Sequence, residues 1–297
     1  TSHYSTTDKR EIFNWGGNNW NHNKIIFTTY HSLHKIQEAG IPVNTIYFDE
    51  AHNSVQEHFN SATRFFASLD NVRCYFFTAT PKYNTSIYDP SMDDEEVYGK
   101  ELERVTPREL IDSGYILPPK LVVKELEKTE SGRTPIWKEC DHLLETIDDS
   151  FVDKILICAR RTVQIVNLVE DTSFCNELAD RGYSWMYITS KTGGIINGKK
   201  VNRETFFETL REWGAADGKK FVVLHHSILS EGISVPGLEA ALFMRNMNYI
   251  TISQTIGRVI RTGNEDKKFG LVVVPCYDRV GISTAKRVTA VVDKILA

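Results

Sequence analysis

Several features that would place a chain in a special class are missing from these 297 residues. No stretch approaches the roughly eighteen uncharged apolar residues that a membrane span needs, and the first ten residues contain no hydrophobic signal segment. With only nine prolines, 41% hydrophobic and 25% charged residues, the composition excludes collagen-like, low-complexity and disordered classes. We therefore expect a globular protein with no membrane partner, located in the cytoplasm, or in the host cytoplasm if a phage encodes it.

Signals for disulfides, zinc and bulk basicity are also missing. The five cysteines are odd in number and never form a C-x-x-C pair, so we expect reduced thiols. None of the nine histidines has cysteine partners at zinc-like spacing. The net charge of −4 removes any argument for nucleic-acid binding from overall charge. If the protein binds DNA or RNA, local basic patches must do so.

The arrangement of apolar runs predicts an α/β fold with parallel sheets. Short β-rich runs, among them Ile25–Tyr30, Thr45–Phe48 and Val72–Phe77, alternate with helical segments along the chain. The length suits two domains, and the successive prolines Pro118 and Pro119 mark the predicted boundary. The sequence thus predicts domains at 1–118 and 119–297.

Two adjacent carboxylates end one predicted strand. Thr45–Phe48 runs directly into Asp49 and Glu50, with His52 two residues further on. Ligands bind outside the carboxyl ends of parallel strands, so phosphate and metal chemistry would be placed here. Asp49 would hold Mg²⁺ and Glu50 would polarise an attacking water. Alternatively, the two acids only favour the N-terminus of a following helix.

A second predicted strand ends in hydroxyl side chains. Val72–Phe77 is followed by Thr78 and Thr80, which we expect at the same sheet edge as Asp49. Hydroxyls at that edge would be in position to hydrogen-bond His52. Threonine before a proline turn is also commonplace in proteins without any such role.

A predicted helix over Ile252–Thr262 has a polar stripe. At 100° per residue, Gln254, Arg258 and Arg261 lie within roughly 60° of one another. Gly257 beside them costs about 1 kcal/mol of helix propensity relative to alanine, which suggests that another group approaches closely. Two arginines at this spacing repel each other unless an anion such as polyphosphate lies between them. The alternative is an ordinary amphipathic helix with solvated arginines, and with Gln254 in a capping box begun by Thr251.

The segment before that helix combines a buried strand with a glycine-containing turn. Phe221–Leu224 runs into a loop with Glu231, Gly232 and Ser234. Such a loop can face a ligand across the sheet edge, so we expect these three residues to contact a nucleotide. A plain turn between two strands is the other interpretation.

Taken in order, these segments resemble the motifs of superfamily 2 helicases of the DEAH/DExH type. The matching segments are Thr28–Ser32, Asp49–His52, Thr78–Thr80, Glu231–Ser234 and Gln254–Arg261. The sequence around Gly232 and Gly257 is most similar to UvsW-like recombination and fork-remodelling helicases of phages, followed by ResIII-like restriction translocases. Two positions depart from common family patterns, His226 where many members have threonine and Ser234 where many have aspartate.

The resemblance implies two RecA-like domains with ATP in the cleft between them and nucleic acid lying across both. Asp49 and Glu50 would be the metal and base residues, while His52, Thr78 and Thr80 would couple hydrolysis to strand movement. From the second domain, Arg258 and Arg261 would reach the γ-phosphate, with Gln254 beside them. By the same resemblance, Thr29 and Ser32 would hold the nucleic-acid backbone.

One large part of this pattern is missing. A helicase of this kind should contain G-x-x-x-x-G-K-S/T, whose amides and lysine hold the phosphates. Nothing before Asp49 supplies it, and Gly193–Lys200 matches only in part because Lys200 replaces the hydroxyl residue. We interpret Gly193–Lys200 as a basic surface loop, from which Lys199 and Lys200 would contact nucleic-acid phosphates.

The sequence therefore predicts an ATP- and Mg²⁺-dependent DNA helicase or translocase whose first RecA-like domain lacks its N-terminal part. Such a chain should turn over little ATP alone and should need the missing segment or a complementing chain as partner. A non-catalytic nucleic-acid-binding module and a DExH RNA helicase are the two alternatives. From Arg258 onward basic residues outnumber acidic ones, which makes that end the expected DNA face.

Overall fold

A computed structural model of the chain describes residues 5–17, 23–86, 88–125, 134–226, 235–262, 267–276 and 279–297. The chain divides into two compact units, Thr1–Arg104 and Val105–Ala297. This division comes earlier than the predicted boundary after Pro118, because the helix at Pro107–Asp112 packs with the C-terminal helix of the second unit. That 1–118 and 119–297 are two RecA-like domains stays a prediction.

The first unit contains four α-helices and two strands among its described residues. These are α1 (Lys9–Gly17), α2 (Leu33–Glu38), β1 (Thr45–Phe48), α3 (Glu57–Ala67), β2 (Arg73–Phe76) and α4 (Glu95–Tyr98), with 3-10 turns at Tyr30–Ser32 and Ala51–Val55. β1 and β2 pair in parallel, with Thr45 opposite Arg73 and Phe48 opposite Phe76.

The core of this unit lies on one face of the two-stranded sheet. Successive strand side chains point to opposite faces, and Phe48 and Phe76 stack at 4.7 Å on the same face. Tyr98 of α4 packs on Phe76 at 4.9 Å, and Phe66 of α3 belongs to the same apolar cluster. Because parallel strands need a crossover between them, α3 connects β1 to β2 across this face.

The predicted strand at Ile25–Tyr30 is wrong. The chain has no regular secondary structure at 23–29, and a 3-10 turn follows at Tyr30–Ser32. Phe27 is 94% exposed. The β-forming residue types are present, but a strand also needs a neighbour to hydrogen-bond with, and in the described part of this unit only β1 and β2 form a ladder.

The second unit contains seven α-helices and eight strands among its described residues. These are α5 (Pro107–Asp112), β3 (Pro119–Glu125), α6 (Pro135–Ser150), β4 (Lys154–Cys158), α7 (Thr162–Glu170), α8 (Phe174–Asp180), β5 (Ser184–Thr189), β6 (Gly193–Ile196), β7 (Lys199–Val201), α9 (Arg203–Ala215), β8 (Phe221–His225), β9 (Ala240–Phe243), α10 (Tyr249–Val259), β10 (Gly270–Cys276) and α11 (Arg279–Leu296). A capping box begins α5, since Thr106 and Glu109 exchange side-chain-to-backbone hydrogen bonds.

An eight-stranded sheet forms the centre of this unit, in the order β3-β10-β9-β4-β8-β5-β6-β7. In this sheet order, the six neighbouring strands that begin with β3 and end with β5 all pair in parallel. Apolar side chains fill both faces: Leu156 of β4 joins one core cluster and Ile157 the other. This two-sided burial explains why the strands read as continuous apolar runs in the sequence.

The hairpin β6–β7 corrects the interpretation of Gly193–Lys200 as a surface loop. β6 pairs antiparallel with β5 and with β7. Asn197 and Gly198 both have positive φ, 45° and 80°, which is the requirement of a tight two-residue hairpin turn and the reason for an Asn-Gly pair. Lys199 and Lys200 are therefore exposed residues of the edge strand β7.

None of the described helices combines the length and the apolar character needed to cross a membrane.

Phe151 gives a test of the backbone conformation that ends α6. It is 91% exposed and adopts a left-handed conformation at φ 51°, which is unfavourable for a residue with a side chain. We expect Phe151→Gly to raise the free energy of unfolding of the second unit by about 1 kcal/mol, measured by urea denaturation. Tyr115→Gly, at an exposed position without positive φ, serves as the control and should not stabilise. A Phe151→Gly variant less stable than the parent would contradict the assigned conformation.

Candidate functional site

The carboxyl end of β1 places two carboxylates where its chain turns sharply. Phe48 is buried, and Asp49 accepts a hydrogen bond on Oδ1 from the amide of Glu50 at 3.0 Å. Glu50 itself adopts the left-handed conformation, φ 48° and ψ 50°. Non-glycine residues in this region cost about 1–3 kcal/mol, and such strain clusters at functional sites.

A buried histidine connects Glu50 to the end of β2. The Nδ1 atom of His52 lies 3.0 Å from Thr78 Oγ1, 3.2 Å from Thr80 Oγ1 and 3.4 Å from Glu50 Oε2. The amide of Ala51 also donates to the carbonyl of Phe77 at 2.8 Å. Four of the five side chains that the sequence singled out at these two strand ends therefore form one contiguous group, namely Glu50, His52, Thr78 and Thr80.

Tyr30 belongs to this edge and was not singled out by the sequence. Its hydroxyl donates to the carbonyl of Asp49 at 2.8 Å, and burial, followed by the negative charge of Asp49, raises the pKa of the Tyr30 hydroxyl. Thr29 is exposed and Ser32 half-buried, linked by a hydrogen bond from the Ser32 amide to the Thr29 carbonyl at 2.9 Å. Thr29 is the N-cap of the 3-10 turn and Ser32 is its last residue, so neither lies at a strand end.

The carboxylates suit a metal site that is completed by water and substrate phosphates, and not a site built from protein ligands alone. Among the described residues, no group of three or more histidine, cysteine or acidic side chains could hold a metal ion. Mg²⁺ commonly uses one or two carboxylates and completes its shell with water and substrate phosphates. Asp49, exposed at the strand end, fits that second mode, in which the substrate brings most of the oxygen ligands.

In the second unit, a buried thiol and imidazole end the central strands β4 and β8. Cys158 Sγ lies 3.3 Å from His225 Nε2. Burial raises the pKa of Cys158 to about 12, and burial together with the nearby charges of Arg245 and Arg258 lowers the pKa of His225 to about 3. Both groups are therefore neutral near pH 7, so the thiolate of Cys158 and the imidazolium of His225 are not populated there.

Arg245, which follows β9, fixes the chain as it leaves β8. Its guanidinium donates to the carbonyl of His226 and lies 3.2 Å from His226 Nδ1. Burial lowers the pKa of Arg245. The sequence analysis missed this residue because a lone arginine after an apolar strand has no periodic signal, and only the meeting of parallel strand ends brings it to His226.

The helix α10 begins and ends earlier than predicted. Asn248, not Thr251, is its N-cap, accepting a hydrogen bond from the Thr251 amide at 2.8 Å. The helix ends at Val259, because Leu117 donates to the Ile260 carbonyl at 2.6 Å and Arg261 forms an isolated bridge with Ile116. The expectation of both arginines on one helical face is thus wrong.

The two arginines consequently have different surroundings. Arg258 is buried, with 6% exposure, close enough to affect the pKa of His225 and Cys158, whereas Arg261 is exposed and outside the helix.

The amide nitrogen of Gln254 is buried without a hydrogen-bond partner among the described residues. At Gly257 an added Cβ would meet nothing within 4 Å, so no neighbour in the described part of the chain explains this glycine. Glu231, Gly232 and Ser234 lie outside the described residues.

The mainly parallel sheet of the second unit, with helices on both faces and polar side chains at its carboxyl edge, defines a RecA-like α/β fold. No protein-family model matches the chain, and no curated protein matches it in sequence.

Solved structures resemble the chain despite low sequence identity. The Type ISP restriction-modification enzyme LlaBIII bound to DNA matches with a TM-score of 0.70 and 18% identity, over 99% of this chain and 23% of that one. LlaGI, of the same type and in complex with a DNA substrate mimic, matches at 0.61 and 21% over 97% and 20%. Dbp5 of S. cerevisiae bound to RNA and ADP–BeF3 matches at 0.53 and 14% over 89% and 61%. These likenesses confirm the predicted α/β fold, and the chain spans less than a quarter of the two restriction enzymes.

His225 gives a pH test of the second unit. Its pKa falls from 6.5 to about 3 on folding, so between these values the unfolded chain binds more protons and stability decreases as the pH is lowered. A single such group contributes a slope of up to about 1.4 kcal/mol per pH unit. We expect His225→Gln to remove this part of the slope, measured by denaturation at pH 4–7 with hydrogen exchange of the β4 and β8 amides.

The protonation state of the His225 imidazole in the parent protein provides the control for this prediction. Nitrogen chemical shifts of His225 in the parent protein should remain those of a neutral imidazole at pH 5. A protonated ring at that pH, or an unchanged slope in His225→Gln, would contradict the burial described above.

Proposed function

We propose that the chain is part of an ATP-dependent DNA helicase or translocase of superfamily 2. The observation that carries this proposal is the group formed by Glu50, His52, Thr78 and Thr80, which joins a carboxylate to the ends of two parallel strands. Coupling phosphoryl transfer to strand movement requires a carboxylate that positions the attacking water. It also requires side chains, here the two hydroxyls, whose contacts change when the nucleotide site changes.

Each remaining site residue has a role in this proposal. Asp49 would hold Mg²⁺ together with the nucleotide phosphates, and Glu50 would orient the attacking water. Arg258 and Arg261, with Gln254, would stabilise charge on the γ-phosphate, because guanidinium groups match phosphate oxygens in geometry and charge. Glu231, Gly232 and Ser234 would line the nucleotide.

Nucleic acid would be bound mainly through its phosphates. Thr29 and Ser32 would contact the backbone by hydroxyls and amides, and Lys199 and Lys200 on the edge strand β7 would add charge. LlaBIII bound to DNA and LlaGI bound to a DNA substrate mimic match with higher TM-scores than RNA-bound Dbp5, which favours a DNA translocase over an RNA helicase. The RNA-bound state of Dbp5 keeps an RNA helicase as the second candidate, so both nucleic acids belong in the assays.

Hydrolysis is expected to require a phosphate-binding loop that the 297 residues do not contain. Backbone amides of such a loop and its lysine hold the phosphates against the carboxylates. The chain alone should therefore show negligible ATP turnover with or without nucleic acid. Robust turnover by the purified chain, abolished by Glu50→Gln, would contradict this proposal.

Joined to the polypeptide encoded immediately upstream of Thr1, the chain should hydrolyse ATP in the presence of DNA. In that longer protein Glu50→Gln should lower kcat by about 10²–10⁴-fold, the usual contribution of a positioned base. Glu57→Gln, an exposed glutamate at the start of α3, is the matched control and should leave kcat unchanged. Steady-state ATPase assays measure both, with duplex DNA and single-stranded RNA compared as stimulants.

The salt dependence of DNA binding tests which basic residues face the phosphates. Lys286 and Arg287 are exposed on α11, and replacing both by glutamine should reduce the slope of log K against log salt by about 1.8 for a duplex, 0.9 per lost contact. The pair Lys199→Gln with Lys200→Gln tests β7 in the same way. Lys100→Gln, exposed in the first unit, is the control. An unchanged slope removes the corresponding face from the proposal.

A further inference from the structure

The peptide group between Asp49 and Glu50 is held at both of its ends. Its carbonyl, that of Asp49, accepts a hydrogen bond from the Tyr30 hydroxyl at 2.8 Å. Its N–H, that of Glu50, donates to Asp49 Oδ1 at 3.0 Å. Because a peptide group is planar, its carbonyl and its N–H turn together. The Tyr30 hydroxyl therefore fixes the direction of the N–H that holds the Asp49 carboxylate.

This restraint acts on a backbone conformation that is unfavourable by itself. Glu50 has φ 48° and ψ 50°, where the Cβ of an L-residue crowds the following carbonyl. Rotation of the Asp49–Glu50 peptide group would take φ of Glu50 out of that region. Such a conformation persists only when the surrounding structure holds it. Two groups do so here: the Tyr30 hydroxyl, and the Phe77 carbonyl, which accepts from the next amide, that of Ala51, at 2.8 Å.

The ring of Tyr30 is itself fixed in the first unit. It stacks on Phe48 at 6.1 Å and lies 5.8 Å from Phe59 of α3. Burial, followed by the charge of Asp49, raises the pKa of the hydroxyl, so the oxygen keeps its proton and remains a donor. A ring packed on two sides transmits a displacement of its own backbone to the group that its hydroxyl contacts.

The backbone of Tyr30 belongs to the turn that the proposed function assigns to nucleic acid. Thr29 is the N-cap of this 3-10 turn and is exposed, and Ser32 ends it. The Ser32 amide donates to the Thr29 carbonyl at 2.9 Å, which closes the turn around Tyr30. One short turn thus presents polar groups to solvent and, through the residue between them, contacts the peptide group after β1.

From these contacts we infer that Tyr30 is a positioning residue, through which nucleic acid bound at the Thr29–Ser32 turn sets the orientation of the Asp49 carboxylate. The inference rests on the proposed function. When the turn moves, the Tyr30 hydroxyl moves with it and the Asp49–Glu50 peptide group rotates. Asp49 Oδ1 then follows the N–H to which it is bonded. This connection is separate from the group around His52, which joins Glu50 to the end of β2.

The dipeptide Asp-Glu occurs twice in the sequence, at Asp49–Glu50 and at Asp94–Glu95, which gives a direct measurement. Labelling aspartate with ¹³C at the carbonyl and glutamate with ¹⁵N leaves two carbonyl–nitrogen signals in the NMR spectrum of the 297-residue chain. The signal of Asp94–Glu95, at the start of α4, is the internal reference for a folded first unit.

Tyr30→Phe tests the hydroxyl while keeping the ring that packs on Phe48. The Asp49–Glu50 signal should shift, and the Glu50 amide should exchange with solvent about tenfold faster, as expected for the loss of one hydrogen bond. The reference signal should stay in place. Tyr47→Phe is the matched control, since it removes a hydroxyl from an exposed side chain of β1, and it should leave both signals unchanged.

A short DNA duplex and a single-stranded RNA are then added in turn to the parent chain and to Tyr30→Phe, each to saturation. In the parent, bound nucleic acid should shift the Asp49–Glu50 signal. In Tyr30→Phe that shift should be lost although nucleic acid is bound, which a purely packing role of the ring would not produce. Fluorescence anisotropy of the labelled nucleic acid establishes saturation in both proteins.

The outcomes separate this inference from the proposed function. Nucleic acid that binds the parent without shifting the Asp49–Glu50 signal would overturn the inference and leave the proposed function in place. The inference would also be overturned by shifts of equal size in the parent and Tyr30→Phe, or by a signal that Tyr30→Phe leaves unchanged. If neither nucleic acid bound the parent, the nucleic-acid part of the proposed function would be contradicted and the inference with it. The parent titration decides between these results even if Tyr30→Phe does not fold.

Discussion

Parallel strand pairing is the constraint on which the arrangement of this protein depends. Each parallel strand must be followed by a crossover before the next can pair, so the carboxyl ends of neighbouring strands come to one edge. That rule brings Glu50 and His52 to Thr78 and Thr80 in the first unit, and Cys158, His225 and Arg245 together in the second. None of these groups is continuous in sequence, and each exists because the sheet determines where its strands end.

The sequence predicted those parts of the fold in which local pattern and tertiary environment agree. β1 has the predicted bounds because it is a short apolar run whose Phe48 packs into the core of the first unit. The predicted strand at Ile25–Tyr30 failed because strand formation depends on a partner that no local pattern reveals. The hairpin after β5 was missed for the opposite reason: its Asn-Gly turn is a clear local signal, but the glycine and lysine spacing invited comparison with a phosphate-binding loop.

The candidate site was predictable in chemistry more than in geometry. Adjacent carboxylates and hydroxyls at strand ends indicated which residues would meet around His52, since strand ends are readable from sequence. The helical wheel failed for Arg261, because a backbone hydrogen bond from Leu117 to Ile260 ends the helix after Val259. Arg245 and Tyr30 could not be found, because each acts on a backbone carbonyl that is distant in sequence, His226 in one case and Asp49 in the other.

The left-handed backbone of Glu50 has a consequence for how this sequence can change over time. Glycine, asparagine or aspartate would suit that conformation better than glutamate, so drift without selection would replace Glu50 early. In this chain the position holds a carboxylate one methylene longer than aspartate, against the preference of its own backbone. In a set of homologous sequences, this position would therefore distinguish lineages that still use the acid from those that retain only the fold.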